Sequence, residues 1–183
     1  MTDKLGFIQK NDIIWEKPNG FPNGRAALRR FSINYEHIFF FVKDEREYYF
    51  QTQYEPYESD PSKWNNRGPM LGGKKTPEYG SSVYSGKPLV PNSSGKIKRS
   101  IWRINTQKLK QNFYAAYPEK LVEIAINACC PPENGTVLDP FLRSGTTSLV
   151  ALKLNRKFIG IELSQEYVEM SYKRLAPFLE IQQ

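Results

Sequence analysis

The sequence is poor in the residues that staple or metallate a small fold. It has two cysteines in 183 residues, Cys129 and Cys130, side by side in an apolar stretch. Chain neighbours cannot bridge distant segments, and without further ligands they make no metal site. A disulfide-built secreted scaffold is thereby excluded, no metal is expected, and the expected compartment is reducing, the cytoplasm. No apolar run approaches the roughly 18 residues that span a bilayer. Met1–Lys10 has no apolar segment after its charges, so no membrane partner and no export signal are expected. The three-glycine fingerprint of a pyrophosphate-binding turn is also missing, which argues against a dinucleotide-dependent dehydrogenase. No internal repeat is present.

What the chain has is positive charge, unevenly placed. The net charge is +7, yet residues 61–112 alone carry eleven basic groups against one acid, whereas residues 44–60 carry one against six. Local density of this kind suits a polyanion, because each neutralised phosphate releases counterions; a solvated loop is the competing reading. The same stretch holds Gly68, Gly72, Gly73, Gly80, Gly86 and Gly95 with Pro61, Pro69, Pro77, Pro88 and Pro91. That is too much punctuation for long helices or central strands and predicts a loop-built insert. Trp64, Tyr79, Tyr84 and Trp102 are interleaved with the cations, where rings either stack on bases or pin the loops to the domain.

Regular elements flank the insert. Asp12–Trp15 and His37–Val42 are β-rich apolar runs, the second continuous enough to predict a strand buried on both faces. His37, the only histidine, is read as structural. Lys17 to Gly24 reads as consecutive turns. Downstream, Pro118 can open a helix reaching Cys130, with Leu121, Ile124, Ala125 and Ala128 as its buried stripe. Thr136–Phe141 predicts a strand ending in an acid, and Arg143-Ser144-Gly145 a turn. Thr146–Leu154 predicts a helix and Lys157–Leu163 a second strand with an acid near its end. Ser164 caps a last helix with Tyr167, Val168, Tyr172 and Leu175 on its apolar side.

A strand, a small-residue turn, a helix and a second strand whose acid, Glu162, comes 23 residues after Asp139 make up the nucleotide-binding half of a doubly wound sheet. Ligands there sit beyond the carboxyl ends of parallel strands, facing the turn's N–H groups, and a carboxylate at the second strand's end can accept both ribose hydroxyls. Glu162 is placed for that role.

The words of the motif narrow the reading. Asp139-Pro140-Phe141-Leu142-Arg143-Ser144-Gly145-Thr146-Thr147 resembles the D-P-F-x-G-S-G-T-T motif of DNA methyltransferases that act on exocyclic amino groups. Phe113 to Leu121 resembles that family's A-x-F-P-x-x-L segment, and Gly160 to Tyr167 its G-I-E/D-x-x-x-x-Y segment. Asn11 to Asn19 resembles its N-E-I-V-W-x-K-P-N. The order matches the permuted, beta class. The resemblance implies an α/β, Rossmann-like, S-adenosylmethionine-dependent methyltransferase sheet carrying a basic, loop-rich target-recognition insert. It divides the chain into residues 1–43, the N-terminal part of the sheet, 44–112, the insert, and 113–183, the cofactor-binding part.

Roles follow by position. The resemblance implies that Asp139, Pro140, Phe141, Ser144, Gly145 and Thr146 cradle the methionine end of S-adenosylmethionine, with Thr147 helping to cap the helix. Ala115, Tyr117 and Pro118 close over the same end, Glu162 binds ribose and Leu163 packs on adenine; core packing is the alternative for Tyr117 and Leu163. Lys74, Lys75, Lys96, Lys98 and Arg99 are candidates for phosphate contacts on double-stranded DNA, and Arg67 or Arg103 for guanine edges. The implied activity is site-specific methylation of adenine N6 or cytosine N4, as in restriction-modification, on a base taken out of the stack.

Two departures qualify this expectation. The family's catalytic (D/N/S)-P-P-(Y/F/W) tetrapeptide occurs nowhere in the 183 residues, so no catalytic residue is assigned. The chain is expected to begin after that loop, leaving one sheet slot beside the Val137 strand empty. A non-catalytic DNA-binding or complementing subunit, completed by an upstream polypeptide or a second protomer, is the alternative, and a truncated gene product a third. An RNA substrate also stays open, since charge does not distinguish 2′-hydroxyls. The second departure is Arg143, which stands where the family has glycine. A Cβ in the left-handed region costs about 1–2 kcal/mol and a long side chain can fill the cofactor's place, which predicts weak binding; pairing of the guanidinium with the cofactor carboxylate would offset this.

Overall fold

The computed structural model describes residues 5–20, 29, 31–60, 92–107 and 117–179. The chain forms two compact units, residues 1–53 with 99–183, and residues 54–98. The smaller is narrower than the 44–112 insert because both flanks of that range belong to the larger unit. Gln51 N donates to Ala128 O at 2.8 Å, and Ile101–Arg103 pairs with Ile14–Glu16.

In the smaller unit β3 (Tyr54–Glu55) pairs antiparallel with β4 (Lys96–Ile97). Gly95 permits the approach: its φ is +105°, and a Cβ there would lie 2.3 Å from the Glu55 carbonyl oxygen.

Among the described residues the larger unit holds two sheets. In the first, β1 (Ile8–Glu16) lies between an antiparallel β2 (Tyr35–Val42) and a parallel β5 (Ile101–Arg103). Alternation sends Trp15, Val42 and Trp102 to one face, where all three are buried. Trp15 Nε1 donates to Ile104 O at 2.8 Å and Trp102 Nε1 to Arg99 O at 3.0 Å, so both indoles are satisfied core residues. Trp102 therefore pins its segment. The expectation that the His37–Val42 strand is buried on both faces is corrected. Among the described residues it is an edge strand, and Tyr35, His37 and Phe39 form an exposed ladder on its other face. His37 Nδ1 lies 2.8 Å from Asp12 Oδ1 on that same face.

The second sheet is the parallel pair β6 (Thr136–Asp139) and β7 (Lys157–Gly160), in register from Thr136↔Lys157 to Asp139↔Gly160. Parallel neighbours need a crossover, supplied by α2 (Thr146–Lys153) between α1 (Glu119–Cys129) and α3 (Gln165–Leu179). Asn155, at φ +56°, ends the crossover in a conformation asparagine tolerates. Val122, Ile126 and Cys130 recur every fourth residue along α1 and its C-cap, and cluster with Val150 and Ala151. Truncating Ile126 to Ala would cost about 2–5 kcal/mol. Leu149, Leu152 and Leu175 join α2 to α3.

Two predicted stripes hold in part, with Ile124, Ala128 and Leu175 buried as expected. On α1, Val122, Ile124, Ile126 and Ala128 are buried while Ala125 is exposed, because the face of Val122 and Ile126 meets α2. On α3, Ser171 and Leu175 are buried and Tyr172 is 64% exposed, because a small residue is needed beneath Gly145.

Val137 and Phe158 pack toward the helices, whereas Leu138 and Ile159, directly paired, are 60% and 56% exposed on the opposite face. Among the described residues β7 is the sole strand beside β6, and the two sheets of the larger unit are separate.

Candidate functional site

At the carboxyl ends of β6 and β7 the chain makes a tightly laced turn. Leu142 N donates to Ile161 O and Ile161 N to Asp139 O, each at 2.9 Å, lacing the turn to the extension of β7. Leu142 is buried against Gly160, where a Cβ would come within 2.7 Å of its Cδ2. Gly145, at φ +74°, is the N-cap of α2 and would bring a Cβ to 3.0 Å from that of Ser171. Arg143 is left-handed too, at φ +48°, the conformation the family's glycine would adopt without strain.

Two acids organise this turn. Asp139 accepts from Phe141 N through Oδ1 at 3.0 Å and from the Tyr117 hydroxyl through Oδ2 at 3.2 Å. Thr147 Oγ1 lies 2.5 Å from the same hydroxyl. The phenol has one proton and the carboxylate can only accept, so Thr147 donates to Tyr117 and Tyr117 to Asp139. Burial, with the Asp139 charge beside it, pushes the Tyr117 phenol up from its ordinary value and keeps it protonated. Thr147 thus belongs to this chain of bonds.

Glu162 is held by backbone. Oε2 accepts from Arg143 N at 2.7 Å, and Oε1 from Leu163 N and Ser164 N, each at 2.9 Å. The bonds from Ser164 and Arg143, then Leu163, draw its carboxyl below the usual carboxylate range, so it is ionised. Phe141 and Leu163 are 78% and 100% exposed, two large apolar side chains on the residues beside these acids.

The sequence-selected residues separate into three groups. Tyr117, Asp139, Pro140, Phe141 and the turn up to Gly145 stand together with Glu162 and Leu163. Pro118 is fully buried, and Ser144 and Thr146 are buried beneath the turn, with the Ser144 carbonyl and Thr146 hydroxyl accepting from Arg174 of α3. Ala115, Lys74, Lys75 and Arg67 lie outside the described residues. Lys96 is ion-paired with Glu58 at 2.6 Å and Glu55 at 3.4 Å, Lys98 with Glu55 at 3.5 Å and Arg103 with Glu16 at 2.8 Å. Arg99 gives its carbonyl to Trp102. Sequence reading missed Arg174 and Glu119, because a cation on an amphipathic helix looks like a solvated charge until its partners are seen. Among the described residues no three His, Cys, Asp or Glu side chains converge as metal ligands, and no helix is long and apolar enough to cross a membrane.

A family model described as DNA methylase matches residues 1–173. The chain is 29% identical over 170 residues to the type II methyltransferase M.SmaI of Serratia marcescens, covering 93% of this chain and 47% of that protein. It thus spans about half the length of the curated relatives it matches. Among solved structures, the M1.HpyAVI complex with SAM superposes with a TM-score of 0.61 at 26% identity, over 95% of this chain and 65% of that one. The cytosine-N4-specific PvuII DNA methyltransferase superposes at 0.63 with 22% identity, over 99% and 58%, a likeness of fold.

Proposed function

On the premise that the chain belongs to this family of DNA methylases, we propose that it binds S-adenosylmethionine across the β6–α2 turn and serves methylation of an exocyclic amino group, adenine N6 or cytosine N4, in duplex DNA. The observation that carries the reading is the tie between Glu162 Oε2 and Arg143 N, which joins the ends of two parallel strands where such folds hold a nucleoside.

The residues present fit that cofactor. Glu162 is ionised and fixed, with about one acceptor site, on Oε2, left over for a ribose hydroxyl. Leu163 and Phe141 offer exposed apolar surface of the kind an adenine and a methionine chain cover. Asp139, steadied by Tyr117, keeps acceptor capacity for an ammonium group. When bound, the cofactor supplies an electrophilic methyl group on a sulfonium sulfur. The chain's part is to hold and orient: Glu162 and Asp139 fix two polar ends, the buried Ser144–Thr146 turn fixes the backbone between them, and the basic 61–112 stretch draws the duplex.

A second reading places the catalytic (D/N/S)-P-P-(Y/F/W) segment outside these 183 residues, which hold none. On it, this chain is a DNA-binding, complementing subunit that becomes competent with an upstream polypeptide or a second protomer. Labelled S-adenosylmethionine with duplex DNA separates the two. Transfer by this polypeptide alone supports the enzyme, and transfer only with an added upstream fragment of a relative supports the split arrangement. DNA binding without transfer in either mixture supports a binding module, and failure to bind the cofactor overturns the leading reading.

A further inference from the structure

A single side chain of α3 reaches three acceptors on two elements. Arg174 Nη1 donates to Ser144 O at 3.1 Å and to Thr146 Oγ1 at 2.9 Å; its Nη2 donates to Glu119 Oε1 at 3.2 Å. Glu119 is the first residue of α1, and its other oxygen accepts from Lys153 Nζ, in the last turn of α2, at 2.6 Å. The Arg174 side chain is only 20% exposed and those of Ser144 and Thr146 are buried, so water competes weakly for these bonds.

The position of each acceptor gives the cluster its consequence. Ser144 O and Thr146 Oγ1 flank Gly145, so the guanidinium ties down both sides of the α2 N-cap. Glu119 follows Pro118 and Tyr117, and Tyr117 is the residue that donates to Asp139. One rigid, planar fork therefore sets the turn that follows β6 and the start of the helix whose leading tyrosine steadies the acid ending β6. Partial burial works to raise the Glu119 carboxyl, and the bonds and charges of Lys153 and Arg174 outweigh it, so the pair stays ionic across neutral pH.

We propose that Arg174 is a positioning residue of the cofactor pocket, a strut that holds the Ser144–Thr146 turn and the Tyr117–Asp139 bond in register without touching the ligand; the assignment rests on the cofactor reading above. An orienting side chain of this sort commands affinity through the groups it places. Lysine is a poor replacement, since one ammonium cannot present a two-nitrogen fork to acceptors on separate elements.

The test is titration of S-adenosylmethionine into the full chain and into Arg174→Gln, Arg174→Lys, Glu119→Gln and Lys173→Gln, with amide hydrogen exchange followed over residues 142–147. Arg174→Gln is expected to weaken binding about tenfold or more and to speed exchange across the turn while unfolding stays cooperative. Arg174→Lys should recover part of the loss. Glu119→Gln, which leaves both bonds to the turn, should lose less, and the exposed Lys173→Gln nothing. Unchanged affinity and exchange in a folded Arg174→Gln overturn the strut. If that variant does not fold, the same result in Arg174→Lys does so. Should the unaltered chain bind no cofactor, the function reading falls and exchange alone decides, unchanged protection again overturning the strut.

Discussion

The backbone N–H of Arg143 donates to Glu162 Oε2 at 2.7 Å, so a left-handed residue after one strand is held by the acid that follows its parallel neighbour. An ionised acceptor makes this a strong bond, which helps explain how a residue with a Cβ persists at φ +48°. It also fixes Glu162 in one orientation with acceptor capacity to spare.

Arg143→Gly should relieve the strain. Removing the Cβ recovers about 1–2 kcal/mol, and glycine's extra freedom in the unfolded chain takes back roughly half, leaving a net stabilisation of about 0.5–1 kcal/mol. Thermal unfolding would register a rise of a few degrees. The variant should also bind S-adenosylmethionine more tightly, and equal affinities would show that the arginine does not obstruct the pocket.

Glu162 sets a pH dependence whose sign is fixed. Its carboxyl titrates lower in the folded chain than in the unfolded one, so its contribution is present above the ordinary glutamate range and fades as pH falls through the folded value. Amide protection at Arg143, Leu163 and Ser164 should be lost on acidification. In Glu162→Gln that pH-dependent step should vanish, and a step that survived the substitution would place the titrating group elsewhere.

Tyr117→Phe keeps the ring in the core and deletes the hydroxyl that joins Asp139 and Thr147. Thr147, half-buried, then loses its acceptor, and the expected cost is about 1–2 kcal/mol. Urea unfolding measures it. No loss would mean that water replaces the phenol at no cost.

The basic insert offers a prediction about slope. If Lys74 and Lys75 meet phosphates, replacing both by glutamine should lower the dependence of log affinity on log salt by about 0.9 for each contact removed. Lys96→Gln should change it less, because Glu58 and Glu55 already neutralise that ammonium. Fluorescence anisotropy with a labelled duplex over a range of salt would read both slopes.

Much of the candidate site could be read along the chain because its parts are local. Asp139, the turn, Gly145 and Gly160 lie in one strand–turn–helix–strand stretch, where spacing fixes which residues reach the strand ends. Edge and centre were not legible in the same way: the run His37–Val42 reads as a doubly buried strand, yet only pairing order makes β2 a margin among the described residues, with Phe39 exposed. The ion pairs of Lys96, Lys98 and Arg103 were hidden for a similar reason, since a cation count does not reveal which cations already have carboxylates.

By itself, then, the order of residues determined the parallel β6–α2–β7 unit, the acids near its strand ends and the basic excess between residues 61 and 112, because periodicity, turn chemistry and charge act over a few residues. The tertiary structure alone decided that Tyr117 donates to Asp139, that Glu162 bonds Arg143 N, and that Arg174 spans Ser144, Thr146 and Glu119. Those bonds join groups 19 to 55 positions apart, and no local preference reaches so far: only packing of helices on strands brings such partners within hydrogen-bonding distance.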